Sequence, residues 1–410
     1  MSEREPISEA LDAVVDFYPP GQLPELAYGL IKRTYDIVAD RLVPAKAEPL
    51  FHDIRQPETE FPLAPGSDFW PMKMATDVIV RGSAFAPGGN PVGSQMIRVT
   101  VGNEQKMIAV YGDRAVHWPA RGQLRFGPPE PYTEMPIEWA RAYGGCDPRV
   151  PVGIDPMTVA AWSKLEFDHP GVYPRNPFGK GYVVVDEPAE GLSLPNLEDP
   201  SALLRPETLI TGDPRKWYLQ PLPVCYEFTN YMMFQRYAWI GLESWFPPPA
   251  DAPMREVALG LLPTNFAELA KIVPGDPMQP LAIQEGPMGM VYPDLAPGTP
   301  VIVEGMHPEL AHVGFPIPAP PKVDFYIDGK VFTEPAQLTT VLVEPNLARV
   351  SLTWAARRWD LPRPFVPGIH ANIPLALLID DAHTVPYDSP PPLRDQVKQG
   401  GGGRPGKPKS

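Results

Sequence analysis

The chain has little cysteine. Two in 410 residues, Cys146 and Cys225, are too few for a disulfide framework and show no zinc-site spacing. No apolar run approaches the roughly 20 residues of a membrane-spanning helix. The first ten residues, MSEREPISEA, lack the basic-then-apolar order of a secretory signal. Together these features set the expectation of a cytoplasmic protein with reduced thiols. Basic charge is in deficit: 35 Lys and Arg face 49 Asp and Glu, a formal net charge of -14. Residues 388–410 carry a net +3, which leaves -17 for the rest. An acidic body repels phosphate backbones, which argues against nucleic acid and for a basic or neutral protein partner.

Proline, by contrast, is abundant. Its 59 copies argue against long helices and central strands, because proline removes a backbone donor and clashes with the preceding turn. The expected fold is β-rich (α+β), with antiparallel β-sheets, long structured Pro/Gly loops and an N-terminal helical hairpin. The hairpin is read from two stripes in residues 1–45: Ile7, Leu11, Val14 and Tyr18, then Ala27, Ile31, Tyr35, Val38 and Leu42. A β-rich core follows over 58–320. TDVIVRGSAFAPGG reads as a strand stopped by Pro-Gly-Gly, and MIRVTV-GNEQ-KMIAVYG as a hairpin with Ile97, Val99 and Val101 on one face. VVVDEP at 183–188 reads as a further strand. Short helices are expected at PIEWARAY and MTVAAWSKL, and two more within 254–273. Residues 321–387 form a C-terminal β-hairpin part of the same body, with FYIDGKVF as a tight hairpin. A strand pair turns around Glu344-Pro345-Asn346, and 388–410 is a disordered tail by composition.

The stretch VYPRNPFGKGY at 172–182 poses the sharpest chemical question. A phosphate loop needs a glycine five residues before the Gly-Lys glycine and a hydroxyl after the lysine. Around Gly179-Lys180 those positions hold Pro174 and Gly181, so a phosphate loop is rejected. What remains is a proline-stiffened turn with glycines at unusual backbone angles. A metal site could draw on Cys146-Asp147 and Asp168-His169, although turn-forming aspartates and a buried cysteine explain these residues as well. No G-x-S-x-G is present. GDRAVHW gathers Asp113, Arg114 and His117, either as a catalytic cluster or, more commonly for such residues, as an Asp–Arg ion pair beside Trp118. Aromatic residues crowd the loop region from Trp139 to Trp245, interspersed with arginine. Such residues are enriched in binding hot spots, and they also fill a core that has few helices. Both readings stay open.

These pieces resemble a bacterial family, the domain of unknown function 2169, found in type VI secretion gene clusters. The matching segments are TDVIVRGSAFAPGG, VGNEQKMIAVYGDRAVHW, MPIEWARAYGG, RNPFGKGY, LPNLEDP, VEGMHPEL and VLVEPNLARVSLTWAARR, spanning about 58–358. The resemblance implies an adaptor or chaperone, not an enzyme, and no cofactor. Its partner would be a secreted effector, often one bearing a PAAR-repeat tip domain, loaded on the spike protein. Two features depart from the family pattern: the first 45 residues, and the insertion at 146–173 between AYGG and RNPFGKGY. The partner-binding site is placed at Tyr143, Gly144, Gly145, Arg175, Asn176, Pro177, Phe178, Gly179, Lys180 and Tyr182, with a purely structural role for them as the alternative. Two competing functions are kept. One is a hydrolase-like or carbohydrate-active enzyme using Asp113, His117, Asp168 or His169. The other is a structural scaffold of the secretion machine.

Overall fold

In the computed structural model, strand β1 is Ser8–Ala13, β2 is Ala27–Val38 and β3 is Arg41–Pro44. The expected N-terminal helical hairpin is therefore corrected to strands. The physical reason is visible in β2. Leu30, Ile31, Lys32, Thr34 and Ile37 are all buried, so both faces of the strand are covered and no two-residue alternation shows. Its β-branched content suits a strand. Leu42, which completed the helical stripe, lies beyond a two-residue turn at Ala39 and Asp40, whose φ values of 48° and 59° pair Val38 with Arg41. The structure describes residues 8–13, 27–46, 48, 68, 73–119, 123–147, 149, 171–173, 175–184, 190–209, 217, 219–227, 286–327, 330–358, 376–379 and 383–386.

The expected strand at TDVIVRGSAFAPGG is two strands, β4 (Thr76–Val80) and β5 (Ser83–Phe85), followed by a 3-10 turn at Pro87–Gly89. Gly82 makes the break: its φ is 143°, and a Cβ there would lie 2.8 Å from Asn346 Oδ1. The expected hairpin is formed by β6 (Ser94–Val101) and β7 (Glu104–Tyr111), with Ile97, Val99 and Val101 buried. Short strands follow: β8 (Val116–His117), β9 (Arg125–Phe126), β10 (Glu134–Pro136), β11 (Tyr143–Gly144), β12 (Lys180–Gly181), β13 (Leu197–Glu198) and β14 (Val291–Tyr292). Then come β15 (Pro300–Glu304), β16 (His312–Pro316), β17 (Lys322–Ile327), β18 (Lys330–Pro335), β19 (Gln337–Glu344), β20 (Arg349–Arg358), β21 (Ala376–Ile379) and β22 (His383–Pro386).

The chain divides into two units. In the first, one sheet contains the run β2-β20-β19-β4-β14, and a five-stranded sheet runs β13-β7-β6-β15-β16. Most pairings are antiparallel; β19 with β4 and β11 with β12 are parallel. Val78, Val80, Val341, Val343, Val350, Leu352 and Trp354 form an apolar core of the first sheet. The strand pair around Pro345 is β19 and β20, joined through a 3-10 turn at Pro345–Leu347. In the second unit the sheet order is β18-β17-β21-β22. There Arg358 pairs with Glu334 at 2.7 Å and stacks 4.3 Å from the Phe332 ring centre. The register Ile327↔Lys330 leaves two residues for the Asp-Gly turn, which lies outside the described residues.

Among the described residues there is no α-helix. PIEWARAY contains only a 3-10 turn at Trp139–Arg141. The strand expected at 183–188 is described only at Val183 and Val184. The helices expected at MTVAAWSKL and within 254–273, and the tail, lie outside the described residues.

Candidate functional site

AYGG and RNPFGKGY, thirty residues apart, are laid side by side. Tyr143 pairs with Lys180 and Gly144 with Gly181 in the parallel β11–β12 ladder. Asn176 locks the two segments together. Its Nδ2 donates to the carbonyls of Trp139 (2.8 Å) and Tyr143 (3.1 Å). Its own carbonyl accepts from the N–H of Gly145 (2.8 Å) and Gly179 (3.3 Å). The side chain is 1% exposed, so a shorter residue would leave buried carbonyls without a donor. The glycines follow from this close approach. A Cβ on Gly145 (φ 91°) would fall 2.3 Å from the Gly179 oxygen, and one on Gly179 2.5 Å from the Ala142 oxygen.

Beneath the turn lies an aromatic floor. Tyr173 sits 5.2 Å from Tyr143, 5.2 Å from Tyr182 and 6.2 Å from Trp217, ring centre to ring centre. The Arg175 guanidinium stacks 5.1 Å from the Trp217 ring and donates to the Tyr173 hydroxyl at 3.2 Å. Tyr143 donates to Gln220 at 2.8 Å and Tyr173 to the Pro221 carbonyl at 3.0 Å. Burial raises the pKa of all three tyrosines, so none supplies a phenolate at neutral pH.

Of the ten residues assigned to the site by sequence, Tyr143, Gly144, Gly145, Arg175, Asn176, Pro177 and Tyr182 are buried. Phe178, Gly179 and Lys180 are partly exposed. The first group builds the turn and the second forms its rim. Lys180 Nζ lies 3.4 Å from Asp113 Oδ1, which joins the rim to the end of β7.

The titratable groups of GDRAVHW do not converge. Arg114 pairs with Glu198, not with Asp113, and stacks 4.0 Å from the Tyr111 ring. His117 Nδ1 lies 2.9 Å from Glu190 Oε1, both on the surface. Asp113 turns instead to Asn196 Nδ2 (3.0 Å), Lys180 and Arg141. Cys146 Sγ faces the Pro177 carbonyl at 4.0 Å. Among the described residues no three His, Cys, Asp or Glu side chains are grouped to hold a metal ion; Asp168 and His169 lie outside them.

Asp147, weighed with Cys146 as a possible metal ligand, is bonded to protein groups instead. Its buried carboxylate accepts from the Val184 N–H at 2.9 Å and from Arg149 N, Nε and Nη2 at 3.1 Å each. Burial alone would raise its pKa, but the bonds from Arg149 and Val184 outweigh that and hold it below the usual value. A folded-state pKa below the unfolded one stabilises above the unfolded value, and that gain disappears as pH falls through the folded value. Asp147→Asn is expected to be less stable than wild type at neutral pH. The gap should close as pH drops below about 4, checked by urea denaturation across pH.

Asn196, Arg141 and Gln220 were not singled out by sequence reasoning. The available signal was an asparagine inside Leu194-Pro195-Asn196-Leu197, which in an apolar run must find internal partners. Asn196 is fully buried and bonds Tyr111, Asp113 and Arg141.

Residues 25–355 match the family model described as an uncharacterized protein conserved in bacteria (DUF2169), and the chain belongs to that family. The match begins at residue 25, so β2 and β3 lie inside the family region rather than in an added segment. No curated protein and no solved structure matches the chain.

Proposed function

We propose that this family member is a cytoplasmic adaptor or chaperone that binds a type VI secretion effector, in particular one bearing a PAAR-repeat tip, and aids its loading on the spike. The observation that carries the reading is the Asn176 turn: hydrogen bonds from a buried asparagine and a buried aromatic floor support Phe178, Gly179 and Lys180, which lie partly exposed. A preformed rim of this kind loses little conformational freedom on binding. A partner touches the rim, while Tyr143, Arg175, Asn176 and Tyr182 act by holding it. The separate partners of Asp113, Arg114 and His117 favour this reading over catalysis at GDRAVHW.

The test is affinity capture of the tagged chain from its own cells, with partners identified by mass spectrometry. A PAAR-bearing effector or a spike component is expected in the wild-type capture. Its recovery should fall by about tenfold or more in Phe178→Ala/Lys180→Ala, with thermal denaturation unchanged. Tyr182 is left intact because its truncation would disturb the floor. Absence of any stoichiometric protein partner would sink the adaptor reading.

A further inference from the structure

Asp113 combines two properties that rarely occur together. Its carboxylate is 64% exposed, yet one of its oxygens is bonded by a fully buried side chain. Oδ1 accepts from Asn196 Nδ2 at 3.0 Å and from Lys180 Nζ at 3.4 Å, with Arg141 Nη1 at 3.9 Å. Asn196 is itself fully buried and tied to the Tyr111 carbonyl at 3.0 Å. The backbone is fixed as well: the Asp113 carbonyl accepts from the Glu130 N–H at 2.8 Å. Gly112 meets Glu130 so closely that a Cβ would fall 1.7 Å from its oxygen. Oδ2 has no partner among the described residues. An exposed ion pair contributes little stability, so the Lys180 contact gives this exposed carboxylate little role in stabilising the fold.

We infer that Asp113 docks a lysine or arginine side chain of the partner protein, accepting its N–H at Oδ2. This deepens the adaptor reading and rests on it. Asp113 adjoins the rim through Lys180, so one partner segment can engage both. Charge complementarity selects the occupant. Lys180 and Arg141 stand on the Oδ1 side and leave the Oδ2 side open to a cation. Glu138 neutralises Arg141 at 3.3 Å, and the chain's net charge of -14 draws basic segments to it. The hydrogen bond from Asn196, then the Lys180 and Arg141 charges, keep the Asp113 pKa below its ordinary value, so it stays ionised at neutral pH.

The test has two arms. In the first, fluorescence anisotropy at physiological salt compares labelled peptides of equal length alternating Gly with Arg, Gln or Glu. These are titrated with the full chain, with Asp113→Asn, and with Glu190→Gln, an exposed carboxylate elsewhere. The Arg peptide is expected to bind, with about tenfold weaker affinity for Asp113→Asn and no change for Glu190→Gln. Equal losses in both variants, no loss in Asp113→Asn, or preference for the Glu peptide would overturn the inference. The second arm captures the effector with wild type and Asp113→Asn. Equal recovery leaves the adaptor reading standing and removes Asp113 as the docking group. Failure of wild type to capture any effector removes the adaptor reading itself, and the peptide arm then decides Asp113 alone.

Discussion

Replacing Gly144 with alanine is expected to destabilise the first unit by on the order of 3–5 kcal/mol, measured by urea denaturation. Two costs combine. Gly144 has a φ of 144°, which side chains rarely adopt. Its Cβ would also fall 2.1 Å from the backbone oxygen of Asn176 and 3.0 Å from the Asn176 Cβ. Neither contact is with the flexible end of a side chain, and the same carbonyl accepts the Gly145 and Gly179 N–H groups. The whole turn would have to move. Gly191→Ala separates the two costs: its φ is 79° and nothing lies within 4 Å, so it bears only the backbone penalty of roughly 1 kcal/mol. If the two variants lose equal stability, the close packing of AYGG against RNPFGKGY is not what these glycines serve. If the adaptor reading holds, Gly144→Ala should also weaken partner capture although Gly144 is buried, because the Asn176 carbonyl it would displace accepts from Gly179 beside Phe178 and Lys180.

How far residue pattern alone reveals this molecule depends on what surrounds each segment. The β6–β7 hairpin was legible because one face is buried and the other is wet, so Ile97, Val99 and Val101 alternate with polar neighbours. β2 was not, because both faces are covered and Lys32 and Thr34 are buried among the apolar residues. Its turn was hidden too, since Ala39-Asp40 adopts left-handed angles without the Asn-Gly or Asp-Gly that normally announces them. At the candidate site the important residues were visible and their depth was not. Tyr, Trp and Arg serve buried floors and binding surfaces equally well, so Tyr143, Tyr182 and Arg175 read as contact residues although they lie inside. Tertiary contacts decided the matter: Trp217, 42 residues after Arg175, and Gln220, 77 residues after Tyr143, close over them.

The largest polar effect is expected at Lys73 and Asp77. Both side chains are buried, at 2% and 0% exposure, and Nζ lies 2.8 Å from Oδ2. Lys73 also donates to Thr340 Oγ1 at 2.8 Å. Thr340 lies beside Asp77 in the β4–β19 register and beside Thr353 in the β19–β20 register. Thr353 Oγ1 donates to Asp68 at 3.2 Å, and Asp68 pairs with Lys32 of β2 at 2.9 Å. A polar row thus crosses β4, β19, β20 and β2. Removing one charge of a buried pair strands the other, so Asp77→Ala or Lys73→Met is expected to cost about 3–5 kcal/mol. Replacing both removes the stranded charge, so Lys73→Met/Asp77→Leu should be more stable than either single variant, a strongly non-additive cycle. Additive losses would mean that the two residues act separately. The row also selects a register. Shifting β19 by one residue so that Val341 takes the place of Thr340 would remove the hydroxyl to which Lys73 donates, an error that apolar contacts alone would penalise less. The double variant is therefore expected to keep much of its stability while losing the sharpness of its unfolding transition, which calorimetry reads directly as a van't Hoff enthalpy below the calorimetric one.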